Sequence, residues 1–165
     1  MERSSEGARW PFGQSCAANP RPSEAQTALT VFIDTSVWFA AANVRDRQHA
    51  RAKSILKSVG DPLLTDHVLV ETWWILNSRI HRKAADEFWA GIRRGAAELA
   101  LITPADLEAA WAIGETFADQ NFSIVDRTSF AVMERLAVDE AASFDDDFAV
   151  YRYGRARNRA FRVIR

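Results

Sequence analysis

The chain has 165 residues, 48% of them hydrophobic, and a formal net charge of −1, enough to build the core of one compact domain without covalent staples. A single cysteine, Cys16, excludes an internal disulfide, and no apolar run reaches membrane-spanning length or follows a charged leader, so the sequence reads as cytoplasmic with no membrane partner. The total charge is silent about nucleic acid, but its distribution is uneven: all 22 acids precede residue 151 while six of the 21 bases follow it, leaving −7 on residues 1–150 and +6 on residues 151–165.

Residues 1–29 are rich in Ser, Ala, Gly and Pro and show neither a helical nor a strand period. They are expected to form a disordered tail before a domain spanning residues 30–165. From Thr30 the texture changes. The run TVFID is β-branched and aromatic and reads as a short buried strand ending at Asp34. RDRQHARAKSILKSV places His49, Ala52, Ile55, Leu56 and Val59 on one face with Arg and Lys opposite, an amphipathic helix stopped by Gly60 and Pro62. PLLT is a second strand, and DHVLVETWWILNSRI a second helix capped at Thr65 or Asp66. RKAADEFWAGIRRGA reads as a third helix, followed by a strand, LALIT, and a helix, PADLEAAWAIGETFADQ, with Pro104 near its first position. Beyond NFSIV, Asp126 stands at the amino end of a helix, RTSFAVMERLA. DEAASF then forms a strand leading into Asp145-Asp146-Asp147, and AFRVI a last strand. This alternation predicts an α/β domain with a mostly parallel sheet of about five strands.

That layout brings out four acids. Asp34 and Asp145 fall just past the carboxyl ends of predicted strands, Asp126 at the start of a helix, and Glu71 in the second turn of the helix after strand two. In open α/β sheets the ligand crevice lies outside the carboxyl ends of the strands, so the four can converge although they are distant in sequence. Taken singly, Asp34 and Asp126 are equally well read as helix caps. Glu71 stands inside the apolar run HVLVETWWIL, where an unpaired carboxylate is costly to bury. Four ionised carboxylates sharing one pocket would repel and would need a cation. With oxygen donors alone on offer, that cation is a hard one, Mg²⁺ or Mn²⁺. Such an ion activates water and neutralises charge on a phosphate, so the chemistry that fits is metal-assisted phosphodiester hydrolysis.

VFIDTS, LTDHVLVET, FSIVDRTSFAVMERL and AASFDDDF, in this order and spacing, resemble the motifs of the PIN-domain ribonucleases, and most closely those of VapC-like toxins of bacterial type II toxin–antitoxin pairs. The resemblance spans about residues 30–165. It implies a PIN-like α/β/α sandwich, a Mg²⁺-dependent endoribonuclease acting on tRNA or rRNA, a homodimer, and a cognate antitoxin protein that silences it. Matched by motif, Asp34, Glu71, Asp126 and Asp145 are implied as the catalytic, metal-holding acids. Ser36 and Asp147 are implied as accessory residues, with Asp146 on a solvated face. The long segment before the first strand departs from the pattern, since relatives commonly begin close to that strand.

The remaining features are weighed against blander roles. His49, His67 and His81 have no partner arrangement for general-base work and read as packing or surface residues. Trp73, Trp74, Trp89 and Trp111 lie on helical segments and read as core or dimer packing rather than base-stacking platforms. The carboxy-terminal YRYGRARNRAFRVIR has six arginines and no acid. Arg152, Arg155, Arg157 and Arg159 are therefore candidates for RNA phosphates at an edge beside the pocket, against the alternative of a solvated, frayed terminus. Arg79, Arg82, Lys83, Arg93 and Arg94 form a second basic region that would serve RNA or an antitoxin. A haloacid-dehalogenase-type phosphatase also uses a strand-end Asp but requires Asp-x-Asp, which Asp34-Thr35-Ser36 lacks. A PIN nuclease for RNA processing without an antitoxin, and a non-cleaving PIN module, are the competing readings.

Overall fold

Short apolar runs become strands here, and those at the centre of the sheet, residues 31–33, 63–64 and 141–142, are buried on both faces as a parallel sheet requires. A computed structural model describes residues 30–165; the tail expected over residues 1–29 lies outside the described residues. The strands are β1 (Thr30–Ile33), β2 (Asp61–Thr65), β3 (Glu98–Ala100), β4 (Glu140–Ala142) and β5 (Arg162–Ile164). They form one sheet in the order β3-β2-β1-β4-β5, with every pairing parallel. Helices α1 (Thr35–Ala42), α2 (His49–Ser58), α3 (Asp66–Arg79), α4 (Arg82–Arg93), α5 (Pro104–Thr116), α6 (Ile124–Leu136) and the short α7 (Asp147–Val150) flank it. The expected PIN-like α/β/α architecture is borne out, and the sheet is wholly parallel rather than mostly so.

The strand order matters for the site. The chain builds outward from β1 to β2 and β3 on one side, then returns through α5 and α6 to lay down β4 and β5 on the other. The order therefore reverses between β1 and β4, and the crevice past the carboxyl ends of those two strands is where α/β sheets hold ligands. Asp34 follows β1, and Asp145 stands three residues past the end of β4.

Local chemistry sets the helix starts. Thr65, not Asp66, caps α3, its hydroxyl accepting from Val68 N at 3.2 Å. Thr103 and Asp106 form a capping box that starts α5 at Pro104, and Ser123 and Asp126 form a second that starts α6 at Ile124. Asp126 is thus inside the first turn of α6 rather than ahead of it, because Ser123 supplies the cap. His81 caps α4, its Nδ1 accepting from Ala84 N at 3.0 Å.

Phe32, Ile33, Leu63, Leu64, Val68, Val132 and Met133 are fully enclosed between sheet and helices. Behind β4 and β5 the core is aromatic: Phe130 stacks on Tyr151 at 4.3 Å and meets Phe148 edge-on at 5.0 Å, and Tyr153 stacks on Phe161 at 4.7 Å. This packing draws the arginine-rich carboxy-terminal segment onto the domain, so it is not a frayed end. Three of the four helical tryptophans, expected in core or dimer packing, lie outside the core. Trp74, Trp89 and Trp111 are exposed, while Trp73 donates from Nε1 to Asp86 at 3.0 Å. Trp38, two residues past the first motif, is the buried tryptophan among the described residues, its Nε1 donating to Ile33 O at 3.2 Å.

Phe130→Ala should remove a hub of the aromatic core and lower unfolding free energy by about 3–5 kcal/mol. Trp111→Ala at the surface should change it by less than about 1 kcal/mol. Urea denaturation followed by circular dichroism checks both.

Candidate metal-dependent active site

Asp34 carries the site's most constrained carboxylate. It is 7% exposed and caps α1. Its Oδ2 accepts from Ser36 N at 3.2 Å, Ser36 Oγ at 2.6 Å and Ser143 Oγ at 2.9 Å. Both hydroxyls are themselves aimed by backbone. Ser36 Oγ accepts from Phe144 N at 3.0 Å, and Ser143 Oγ accepts from Asp145 N at 3.0 Å. The loop after β4 is thereby tied to the carboxylate after β1, which fixes Asp145 relative to Asp34. Capping and a place in the site are joint roles of Asp34, not rival ones.

Glu71 reaches the same corner by another route. Thr35 Oγ1 donates to Glu71 Oε2 at 2.5 Å, and Thr72 Oγ1 lies 3.4 Å from Thr35 Oγ1. Asp126 holds its own helix start, its Oδ2 accepting from Ser123 N at 2.8 Å. Asp145 Oδ1 accepts from Asp147 N at 3.2 Å.

Electrostatics shows that the acids feel one another. Burial pushes the Asp34 carboxyl up to about 6 against the lowering effect of its Ser36 and Ser143 hydrogen bonds, and the charge of Asp126 adds to the rise. Asp126 is raised above the ordinary carboxylate range by burial, is lowered in part by Ser123 and is raised again by Asp145. Asp147 is pushed up to about 6 by burial and then by Asp145, Asp126, Asp34 and Asp146 in turn. Asp106 is the contrast. Burial raises it too, yet hydrogen bonds from Arg135 and Thr103 outweigh that and leave it below the ordinary range, as expected of a structural acid with its own cation.

Each of Asp34, Glu71, Asp126 and Asp145 commits one oxygen to these local bonds. Among the described residues no donor reaches the other oxygen: Asp34 Oδ1, Glu71 Oε1, Asp126 Oδ1 and Asp145 Oδ2. One oxygen orients and the other remains for a ligand, as metal-binding carboxylates do. The donors are all hard oxygens, which suits Mg²⁺ or Mn²⁺. Histidine is not part of the set. His49 Nδ1 faces Ala40 O at 2.9 Å, His67 Nδ1 faces Thr128 Oγ1 at 3.1 Å, and His81 is a cap. Among the described residues no three His, Cys, Asp or Glu are arranged to hold an ion as they stand.

Several residues fall outside this group. Asp146 pairs with Arg165 Nη2 at 2.6 Å. Arg152 Nη1 closes the end of α7 through the carbonyls of Ala149, Val150 and Tyr151. Arg157 lies over the Phe117 ring at 5.4 Å. Arg159 pairs with Asp139 at 3.0 Å, at the amino end of β4 and so opposite Asp145. Arg155 is exposed in the turn between them. These four arginines are spread along the carboxy-terminal segment rather than gathered at the acids; the terminal arginine at the acid end is Arg165. In the second basic region, Arg82 and Lys83 pair with Asp86 and Glu87 on their own helix. Sequence reasoning gave Ser143 no role. The signal for Ser143 was its spacing two residues before Asp145, which closes a serine turn.

A model of the PIN domain matches residues 31–152. The chain belongs to the PIN-domain family. Within it, the expected likeness to VapC-like toxins is borne out. The 23S rRNA-specific endonuclease VapC20 of Mycobacterium tuberculosis, from strains CDC 1551/Oshkosh and H37Rv, is 39% identical over 121 residues, covering 72% of this chain and 92% of the relative. The crystal structure of Mycobacterium tuberculosis VapC20, titled a Sarcin-Ricin loop cleaving toxin, superposes with a TM-score of 0.68 at 36% identity over 72% of this chain and 92% of that one. The match begins at β1 and runs through α7, so the PIN portion contains all four acids together with Ser36, Ser143 and Asp147.

The raised Asp34 carboxyl sets a pH signature. The group's folded value, about 6, exceeds its ordinary 3.8. The protonated form is therefore favoured by folding, and that stabilisation is full below pH about 4 and lost as pH rises through about 6. In chelator, Asp34→Asn presents one oxygen to the same three donors without charge, so it should match wild type below pH about 4 and exceed it by on the order of 2–3 kcal/mol above pH about 6. Chemical denaturation across pH 4–8 measures the difference.

Proposed function

We propose that this PIN-domain chain is a Mg²⁺-dependent endoribonuclease that hydrolyses RNA phosphodiester bonds and acts as the toxin of a toxin–antitoxin pair. The observation that carries the reading is the hydrogen-bonded chain from Asp34 through Ser143 to Asp145 and Asp147 past the carboxyl ends of β1 and β4. The 39% identity to a 23S rRNA-specific endonuclease supports ribosomal RNA, ahead of tRNA, as the substrate.

Asp34, Asp126 and Asp145, with Glu71 beside Thr35, are the residues that would hold the cation. When bound, the divalent ion supplies Lewis-acid stabilisation of the phosphate and an acidified water. The chain's own residues do the rest. Ser36 and Ser143 hold Asp34 through Oδ2 and leave its Oδ1 without a donor among the described residues, and Thr35 does the same for Glu71 through Oε2. Asp147 N donates to Asp145 Oδ1 and so positions that acid. Cytoplasmic location, an antitoxin partner and a homodimer belong to the same proposal and follow from kinship with VapC-like toxins. No helix among the described residues is long and apolar enough to cross a membrane. The domain assignment over residues 30–165, with a tail before it, belongs to it too.

Purified protein given ribosomal RNA and Mg²⁺ should cut at a discrete position, and EDTA should abolish the cut. Asp34→Asn should lower the single-turnover rate by about 100-fold or more while keeping the fold. RNA bound but never cut, with Mg²⁺ or Mn²⁺, would identify a non-cleaving PIN module. Cutting without growth arrest on expression would identify a processing nuclease.

A further inference from the structure

An acid-lined pocket repels the polyanion it is meant to cut. The bound cation answers for the scissile phosphate, but the phosphates on either side need a cation from the chain. The arginines around the pocket are mostly spent. Arg165 is held by Asp146 Oδ1 and by the Asp145 carbonyl, and Arg135 by Asp106 at 2.8 Å. Arg127 is not. It follows Asp126 in the first turn of α6, is half-buried, and no carboxylate among the described residues lies within ion-pair distance of it.

The side chain is nonetheless fixed. Arg127 Nε donates to Ser123 O at 3.3 Å, back across the turn that also holds Asp126. Its guanidinium lies flat against α5 at Gly114, where a Cβ would occupy the place of Nη1. Gly114 sits in the last part of α5, where an interior glycine costs helix stability of roughly 0.5–1 kcal/mol relative to Ala. Its presence is accounted for by this close approach. Among the described residues neither Nη nitrogen has an acceptor. A half-buried, pre-aimed guanidinium with an open fork, one residue from a site acid, is suited to bidentate capture of a phosphate.

Resting on the endoribonuclease reading, we propose that Arg127, seated on Gly114, is the anchor for an RNA backbone phosphate adjacent to the scissile one. It is a substrate-binding residue rather than a catalytic one, and its recognition is of charge and geometry, not base identity. The seat makes Gly114 part of the anchor. Gly114→Ala is favourable for the helix itself and displaces only the end of a flexible side chain.

The test is steady-state cleavage of the ribosomal RNA substrate in Mg²⁺ at several KCl concentrations by wild type, Arg127→Gln, Arg127→Lys and Gly114→Ala. Arg127→Gln should raise KM about 10-fold or more with kcat changed only a few-fold. It should also flatten the slope of log(1/KM) against log salt by about 0.7–0.9. Gly114→Ala should shift both in the same direction with its melting temperature retained, and Arg127→Lys should fall between. An unchanged KM and salt slope in Arg127→Gln, or a loss confined to kcat, would overturn the anchor. Wild type that never cuts RNA would overturn the parent reading instead, so the two failures are distinct.

Discussion

The arrangement depends on one buried oxygen. Asp34 Oδ2 gathers three donors, one of them from a residue 109 positions away in sequence. A carboxylate this enclosed is costly to ionise, and the hydrogen bonds that reduce the cost come from the two segments that must meet for the site to exist. Ser36 ties the carboxylate to the start of α1, and Ser143 ties it to the loop after β4. The same contacts orient the outward oxygen and hold the loop carrying Asp145 and Asp147. Fold and site therefore share their supports: parallel pairing of β1 with β4 brings the serines together, and the serines hold Asp34 in place.

The acids divide by their partners more than by their burial. Asp106 is as buried as Asp34, but Arg135 and a capping box satisfy it, so it stabilises α5 and does nothing more. Asp34, Asp126 and Asp147 have no such cation pair, so burial raises their carboxyls and neighbouring carboxylates add to the rise. An unneutralised set of this kind works against stability, and chains keep such a cost where a ligand relieves it. Divalent-cation binding is the relief consistent with all-oxygen donors and with kinship to an rRNA endonuclease.

Much of this was legible from the sequence because strand ends are legible. Short apolar runs marked β1 and β2, and the acids just beyond them or on the following helix fell where a parallel sheet opens its crevice. Strand order was not legible, since nothing in a short run such as EAA says that β4 lies beside β1 rather than at an edge; that is decided by how α5 and α6 pack on the way back. Side-chain reach was equally hidden. The Thr35 to Glu71 and Ser143 to Asp34 bonds link residues 36 and 109 positions apart, and no local pattern encodes them. The course of the arginine-rich carboxy-terminal segment was hidden as well. Its charge was read as an RNA edge beside the pocket, but its aromatics draw it along β5, so that Arg159 pairs with Asp139 at the far end of β4.

The central claim is that the outward oxygens of Asp34, Asp126 and Asp145, with Glu71 nearby, converge on one cation. A crystal of the protein grown in Mn²⁺ near pH 7.5 tests it most directly through the anomalous difference map. The account predicts a Mn²⁺ peak between these carboxylates, with Asp34 Oδ1 as a ligand and Oδ2 still held by Ser36 and Ser143. A map with no peak there, or a peak ligated without Asp34, would contradict it.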